Sequence, residues 1–204
     1  PAALQPMRRL LLLGGSRMPE ALGNLRRLLA ALQGWTPSQP VLLLAPCGSR
    51  PAAAEWEPLL LGLGFAPDPI PAGTGAAACW RRGTLQLLVG PGRFAAWAGW
   101  AELGLAAAGT ATEQLVGLGI PALSLPGPGP QFKRGFAERQ SRLLGGAVAV
   151  CRSPAQLRDR LELLLVDSAL RQQLGAIGRR RMGPPGGSGA LADLVAERLL
   201  GRAG

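Results

Sequence analysis

The stretch Gly109-Thr-Ala-Thr-Glu-Gln-Leu-Val-Gly-Leu-Gly-Ile-Pro121 lies between two short apolar runs, Leu103 to Ala108 and Ala122 to Leu125. An apolar run that turns at a glycine into a helix, then returns to a second apolar run, is the strand–helix–strand unit of an α/β protein. The start of such a helix presents free backbone N–H groups, which suit a phosphate. Glu113, one turn in, is then placed to reach a ribose hydroxyl. The same letters also read as Thr110-x-x-Glu113, a helix capping box that stabilises by about 1 kcal/mol and needs no ligand. The two readings are partly compatible, because Thr110 can cap while the helix start still faces a pyrophosphate.

The unit recurs along the chain. Arg9 to Leu13 is an apolar strand ending in Gly14-Gly15, and Pro19 with Glu20 opens a helix. Leu22, Leu25, Leu28, Leu29 and Leu32 carry the stripe of that helix, which stops at Gly34. Val41 to Ala45 is a second strand and Ala52 to Leu63 a second helix. The Pro- and Gly-dense region Ala66 to Gly83 holds a weak strand near Ala77 to Trp80. Leu85 to Val89 is a clear strand, followed by a short helix from Arg93 to Ala101. The decisive unit, with its helix from Thr112, comes next. Beyond it lie a helix over Phe132 to Leu144 and a strand over Ala147 to Val150. Helices over Pro154–Leu165, Ser168–Arg181 and Gly189–Leu200 close the chain, with Ser153 and Asp167 as caps.

Repeated alternation of this kind forces a mostly parallel sheet with right-handed crossovers. The expected fold is therefore α/β, a Rossmann-like three-layer sandwich with about six strands. Residues 1–204 form one domain, whose C-terminal helices occupy about 154–201. Ligands of such sheets bind beyond the carboxyl ends of the strands, at the switch point of strand order.

Composition narrows the function. The chain of 204 residues carries 22 basic and 12 acidic residues, a net charge of +10, and Lys133 is its only lysine. The arginines are scattered, and no aromatic residues interleave with them as a single-strand binder requires. A phosphate-rich small molecule or an anionic membrane surface therefore fits better than nucleic acid. There is no histidine, so no Ser-His, Cys-His or His-metal chemistry can be assembled within the chain. Cys47, Cys79 and Cys151 are odd in number and form no C-x-x-C pair, which speaks against a metal site or a disulfide and for a reducing, cytoplasmic setting. The four leucines after Arg9 are too short a run for a signal peptide, and Phe94 to Ala111 reads as helix and strand rather than a membrane span. Pro1 in place of a methionine suggests a piece of a longer protein.

Three loops after strands can carry chemistry. In Gly14-Gly15-Ser16-Arg17, small residues let the backbone approach a ligand, Ser16 can donate to a phosphate and Arg17 can pair with one. Taken alone it is equally a tight turn with a solvated arginine. The second loop is Gly109-Thr110. The third, Pro126-Gly-Pro-Gly-Pro-Gln131, is stiff and bears one hydrogen-bonding side chain, Gln131, ahead of the helix with Glu138, Arg139 and Gln140. Alone it is a rigid connector. Together, three phosphate-compatible loops on one sheet edge are more specific than any one.

These residues also carry a resemblance. Gly14-Gly15-Ser16-Arg17-Met18-Pro19-Glu20 resembles the loop after the first carboxyl-terminal strand of lipid-A-disaccharide synthases, whose PGSR-x-x-E pattern has a proline where the pair Gly14-Gly15 begins in this chain. Gly109 to Pro121 is similar to the donor-binding helix of that family and its cyanobacterial-type relatives. Gly129-Pro-Gln-Phe132, Phe136-Ala-Glu-Arg-Gln140 and Arg142-Leu-Leu-Gly145 match those relatives more closely still. The resemblance covers essentially the whole chain. It implies the carboxyl-terminal, nucleotide-sugar half of a two-domain GT-B glycosyltransferase. It further implies a UDP-sugar donor, with Gly15, Ser16 and Arg17 facing the diphosphate. Gly109, Thr110, Ala111 and Thr112 would receive the diphosphate at the helix start. Glu113 would bind the ribose hydroxyls, and Gln131 and Gln140 would lie beside the sugar or phosphate. No cofactor, metal or catalytic base is implied in this half. The base and the acceptor belong to an amino-terminal acceptor domain, and the acceptor is a lipid or a saccharide at the membrane face. The alternatives are a nucleotide-sugar epimerase of the same fold and a non-catalytic nucleotide-binding module.

Overall fold

The computed structural model describes residues 6–129, 132–184 and 186–199. Eight strands form one sheet, in the order β3-β4-β5-β2-β1-β6-β7-β8. The strands are β1 (Arg8–Leu13), β2 (Val41–Cys47), β3 (Ala66–Pro67), β4 (Ala78–Arg82), β5 (Leu85–Pro91), β6 (Leu103–Ala106), β7 (Ala122–Ser124) and β8 (Val148–Val150). The six strands from β5 to β8 in that order are all parallel. The two beyond the expected six are an antiparallel edge, β3 and β4, built from the Pro/Gly-dense region that promised only one weak strand. Pro67 sits in β3 at the rim, where a missing N–H costs no ladder bond.

Helices α1 (Glu20–Ala31), α2 (Ala53–Gly62), α3 (Phe94–Ala98), α4 (Thr110–Gly117), α5 (Arg134–Leu143), α6 (Pro154–Val166), α7 (Ser168–Met182) and α8 (Gly187–Leu199) complete the order. The central strands are apolar on both sides and rich in leucine because both faces are covered. Leu10, Leu12 and Leu43 pack with Leu25, Leu28 and Leu29 of α1 and Leu157 and Leu161 of α6. Leu11, Leu13, Leu42 and Leu44 point the other way, to Trp97 of α3 and Leu115 and Val116 of α4. Each fully buried leucine contributes about 1.5–3 kcal/mol, and the pleat divides the sheet into two apolar layers, of which the one under α1 and α6 is the heavier. Ser153 and Asp167 cap α6 and α7, accepting from the N–H groups of Gln156 at 3.2 Å and Leu170 at 2.8 Å.

α7 runs beneath the amino ends of the strands. Arg171 meets Glu102 ahead of β6; Gly175 lies on Gly119 ahead of β7; Gly178 lies on Ala147 ahead of β8. A Cβ at Gly175 would overlap the Gly119 carbonyl oxygen, so the helix can approach only as glycine. No helix among the described residues is long and apolar enough to cross a membrane.

Candidate functional site: a cleft at the carboxyl ends of the strands

Strand order reverses at β1. The chain proceeds from β1 to β2 and β5 on one side, then crosses to β6 on the other. The loops after β1 and β6 therefore diverge and leave a crevice, as the switch-point rule requires. A cavity of about 520 Å³ occupies it, lined by Gly14 to Arg17, Glu20 and Asn24 on one side and Ala107 to Ala111 and Gln114 on the other. That volume falls within the roughly 300–1,000 Å³ of small-molecule sites.

The two glycines of the first loop serve different ends. Gly14 is buried under α1, where any Cβ would meet Leu25 and the Ala21 carbonyl. Gly15 has φ of 95°, the left-handed conformation that turns the chain out of β1. Ser16 and Arg17 follow, both exposed. The Arg17 guanidinium makes no ion pair or hydrogen bond among the described residues, so a charge-bearing fork stands free at the cleft.

In the second wall the capping-box reading of Thr110 and Glu113 fails. Gly109, not Thr110, is the N-cap of α4, and no side chain caps the helix. Thr110 is its first helical residue, which shifts the frame by one and removes the capping box. The Gly109 carbonyl accepts from the N–H groups of Thr112 at 2.9 Å and Glu113 at 3.2 Å. The N–H groups of Thr110 and Ala111 bond to nothing among the described residues, and both residues line the cavity. These are the orphan donors of a helix start, aimed into the crevice. Thr112 is fully buried, and its hydroxyl donates back to the Ala108 carbonyl at 2.7 Å. Only its position in the helix start, and not its side chain, bears on a ligand. Glu113 is half-buried and lies outside the cavity lining. Gln140 of α5 is 4% exposed and also lies outside the lining. Its Nε2 donates to the Gly109 carbonyl at 3.2 Å and to Glu113 Oε1 at 3.3 Å. Gln131 falls outside the described residues.

Several site residues had no role assigned from the sequence; Phe132 and Phe136 stood there only as letters of the resemblance, of which Asn24 and Phe94 were no part. Asn24, buried in α1, donates from Nδ2 to the carbonyls of Gly14 at 3.0 Å and Ala107 at 3.2 Å. One amide thus ties the end of β1 to the end of β6 and fixes the crevice floor. Its Oδ1 accepts from Arg27 at 3.1 Å, and the Arg27 guanidinium lies over Gly127, where a Cβ would overlap it. The proline–glycine loop is thereby anchored to α1. Phe94, Phe132 and Phe136 line the cavity, three of the four phenylalanines in the chain. Phe132 and Phe136 stand at 5.5 Å and 59°, an edge-tilted pair suited to a planar ring. A polar residue one turn into α1 and phenylalanines one turn apart look like ordinary helix letters until the loops converge. Cys47 also lines the cavity, and burial pushes its pKa up, so it stands there as a thiol.

No protein-family model matches the chain, and no curated protein matches it. Solved structures do. A UDP-N-acetylglucosamine 2-epimerase named as such from Listeria monocytogenes superposes with a TM-score of 0.63 at 13% identity, over 98% of this chain and 47% of that one. MurG of Acinetobacter baumannii gives 0.59 at 21% identity, over 94% and 50%. WaaG, described as a glycosyltransferase involved in lipopolysaccharide biosynthesis, gives 0.55 at 18% identity, over 98% and 48%. The chain spans about half the length of these structures. The likeness shows the fold: a Rossmann-like α/β unit equivalent to one half of a GT-B enzyme.

Proposed function

We propose that the chain is the donor-binding half of a glycosyltransferase that moves a hexosyl group from a UDP-sugar to a lipid or saccharide acceptor. The observation that carries this reading is the crevice between β1 and β6, where a free arginine faces the free amides of a helix start. A diphosphate bridges those two walls, with Ser16 and Arg17 on one side and the N–H groups of Thr110 and Ala111 on the other. Glu113 takes the ribose hydroxyls, and the Phe132–Phe136 wall takes a ring. Gln131 flanks the sugar in the resemblance to lipid-A-disaccharide synthases, which is also the source of the finer acceptor assignment.

The half performs one part of the reaction. As the glycosidic bond to the diphosphate breaks, negative charge grows on the leaving oxygens. Arg17 and the helix-start amides are already aimed there, so they stabilise the transition state more than the ground state. The base and the acceptor come from an amino-terminal domain, and the chain alone transfers nothing. The net charge of +10 suits contact with an anionic cytoplasmic membrane face. Sedimentation unchanged by anionic vesicles would sink that contact.

The test is calorimetric titration of UDP and UDP-sugars against the wild type and Glu113→Ala. The wild type binds, and Glu113→Ala loses about tenfold, the worth of one hydrogen-bonded carboxylate. Equal affinity in both proteins would refute the ribose role. A second reading, nucleotide-sugar epimerisation, is favoured by the likeness to the Listeria structure. It uses the same cleft and needs catalytic acids from the other half. Joined to that half, a transferase consumes the UDP-sugar only with an acceptor, and an epimerase converts it without one.

A further inference from the structure

The resemblance sets Gln140 beside the sugar or phosphate, yet it lies outside the cavity lining and is among the most buried polar side chains described, at 4% exposure. It sits on α5 and reaches across to the first turn of α4. Both groups it meets there, the Gly109 carbonyl and the Glu113 carboxylate, are acceptors only. The orientation of its amide is therefore fixed: the NH2 must face them. Its Oε1 is left buried with no donor among the described residues. A buried orphan acceptor costs free energy, so this arrangement exists for what the NH2 does.

We infer that Gln140 is the positioning residue for Glu113. The Gly109 carbonyl fixes where the amide sits, because that oxygen already closes the first turn of α4 with the N–H groups of Thr112 and Glu113. The remaining N–H then fixes one carboxylate oxygen of Glu113 and leaves the other without a partner among the described residues, the atom that takes the ribose hydroxyl under the proposed function. A carboxylate on a flexible two-carbon stem would otherwise sample several rotamers, and binding a diol would have to order it. Gln140 removes that cost in advance. Residue type matters: asparagine is a methylene too short, glutamate would repel Glu113, and methionine fills the space without a donor.

This inference rests on the nucleotide reading for its consequence, but not for its geometry, and two measurements separate them. In the first, the carboxyl ¹³C resonance of Glu113 is compared between wild type and Gln140→Met, without nucleotide. Loss of the hydrogen bond shifts that signal while the carboxyl signals of remote Glu55 and Glu162 stay in place. An unmoved Glu113 signal overturns the inference whatever the protein binds. In the second, UDP and its 2′-deoxy and 3′-deoxy analogues are titrated. Wild type prefers UDP over whichever analogue lacks the hydroxyl that Glu113 receives. Gln140→Met weakens UDP about tenfold, with that analogue nearly unchanged, so the preference collapses. Gln140→Glu does the same or more, because like charges meet. Equal weakening of UDP and both analogues would mean a merely structural glutamine and overturns the inference. If the wild type binds no nucleotide, the ribose reading fails, and the resonance alone decides whether Gln140 positions Glu113.

Discussion

At the carboxyl ends of β1 and β6, glycine makes room, arginine stands unpaired and backbone amides face a cavity. At the amino ends of the same strands the same residue types close the structure. Gly175 and Gly178 let α7 press against the turns ahead of β7 and β8. Arg8, Arg9 and Arg171 converge on the single carboxylate of Glu102, at 2.6, 3.2 and 3.7 Å. Arg171 also donates to the carbonyls of Leu164 and Leu165, the negative end of α6. Desolvation lowers the Arg171 pKa, yet its partners keep it charged. The contrast teaches that residue type does not mark the site. What marks it is unpaired groups that line a cavity rather than lie buried in the fold.

Substitutions at the two ends should therefore separate stability from binding. The largest effect is expected for Gly175→Ala. Its Cβ runs into backbone rather than a flexible side chain, so the loss is about 3 kcal/mol by the scale of overpacked cores. Thermal or urea unfolding measures it, while nucleotide affinity of the folded fraction stays unchanged. Asn24→Ala breaks the comparison, because it acts on the floor shared by both walls. Two buried carbonyls lose their donor, and stability falls by about 2 kcal/mol with affinity falling alongside. Unchanged affinity there would show that the crevice does not depend on the tie between the strand ends. Arg17→Ala is the converse: affinity for UDP drops by about 2 kcal/mol, as for a charge-assisted pair, with stability within about 0.5 kcal/mol. If Arg17→Ala instead unfolds the protein, the free fork is not free.

The smallest effect lies in the turn from β2 into α2, outside the cavity lining. The Arg50 guanidinium hydrogen-bonds Glu55, and the Ala52 N–H adds to it, so the Glu55 pKa is held down at about 2 against an ordinary 4.5. A depressed carboxylate stabilises the fold fully above its unfolded pKa, and that contribution is lost as pH falls toward 2. Glu55→Gln should lower stability slightly at pH 7 and flatten its decline between pH 4.5 and 2. An acid-side slope identical to wild type would show the pair to be without weight, as exposed pairs often are.

The sheet was legible in the sequence because each central strand is a short apolar run followed within a few residues by glycine, a pattern that survives any detail of packing. Ser153 and Asp167 were legible as caps because capping is local. The frame of α4 was not. Thr110-x-x-Glu113 fits a capping box letter by letter, but the Gly109 carbonyl closes the first turn and is held in place by Gln140, from a helix later in the chain. The edge strand β3 was missed because Ala66–Pro67 has no strand signature of its own; it exists as a partner for Arg81 and Trp80. Asn24 and the phenylalanine wall were missed for the same reason, since their partners are distant in sequence. What a residue does locally can be read from its neighbours in the chain, and what it holds together cannot.

The position of β1 sets a timetable for the folding chain. Leu10 pairs on one side with Leu43 and on the other with Leu103, and Arg8 shares its carboxylate with Arg171. β1 is thus synthesised well before β6 and is completed only when β6 emerges. Until β6 emerges, its leucines present an open apolar edge, the kind of exposure that recruits chaperones or unwanted strands. Topology of this kind slows folding because distant contacts must form before they are rewarded. The crevice lies between β1 and β6, so the proposed binding site sits at the strand pairing of greatest sequence separation in the sheet.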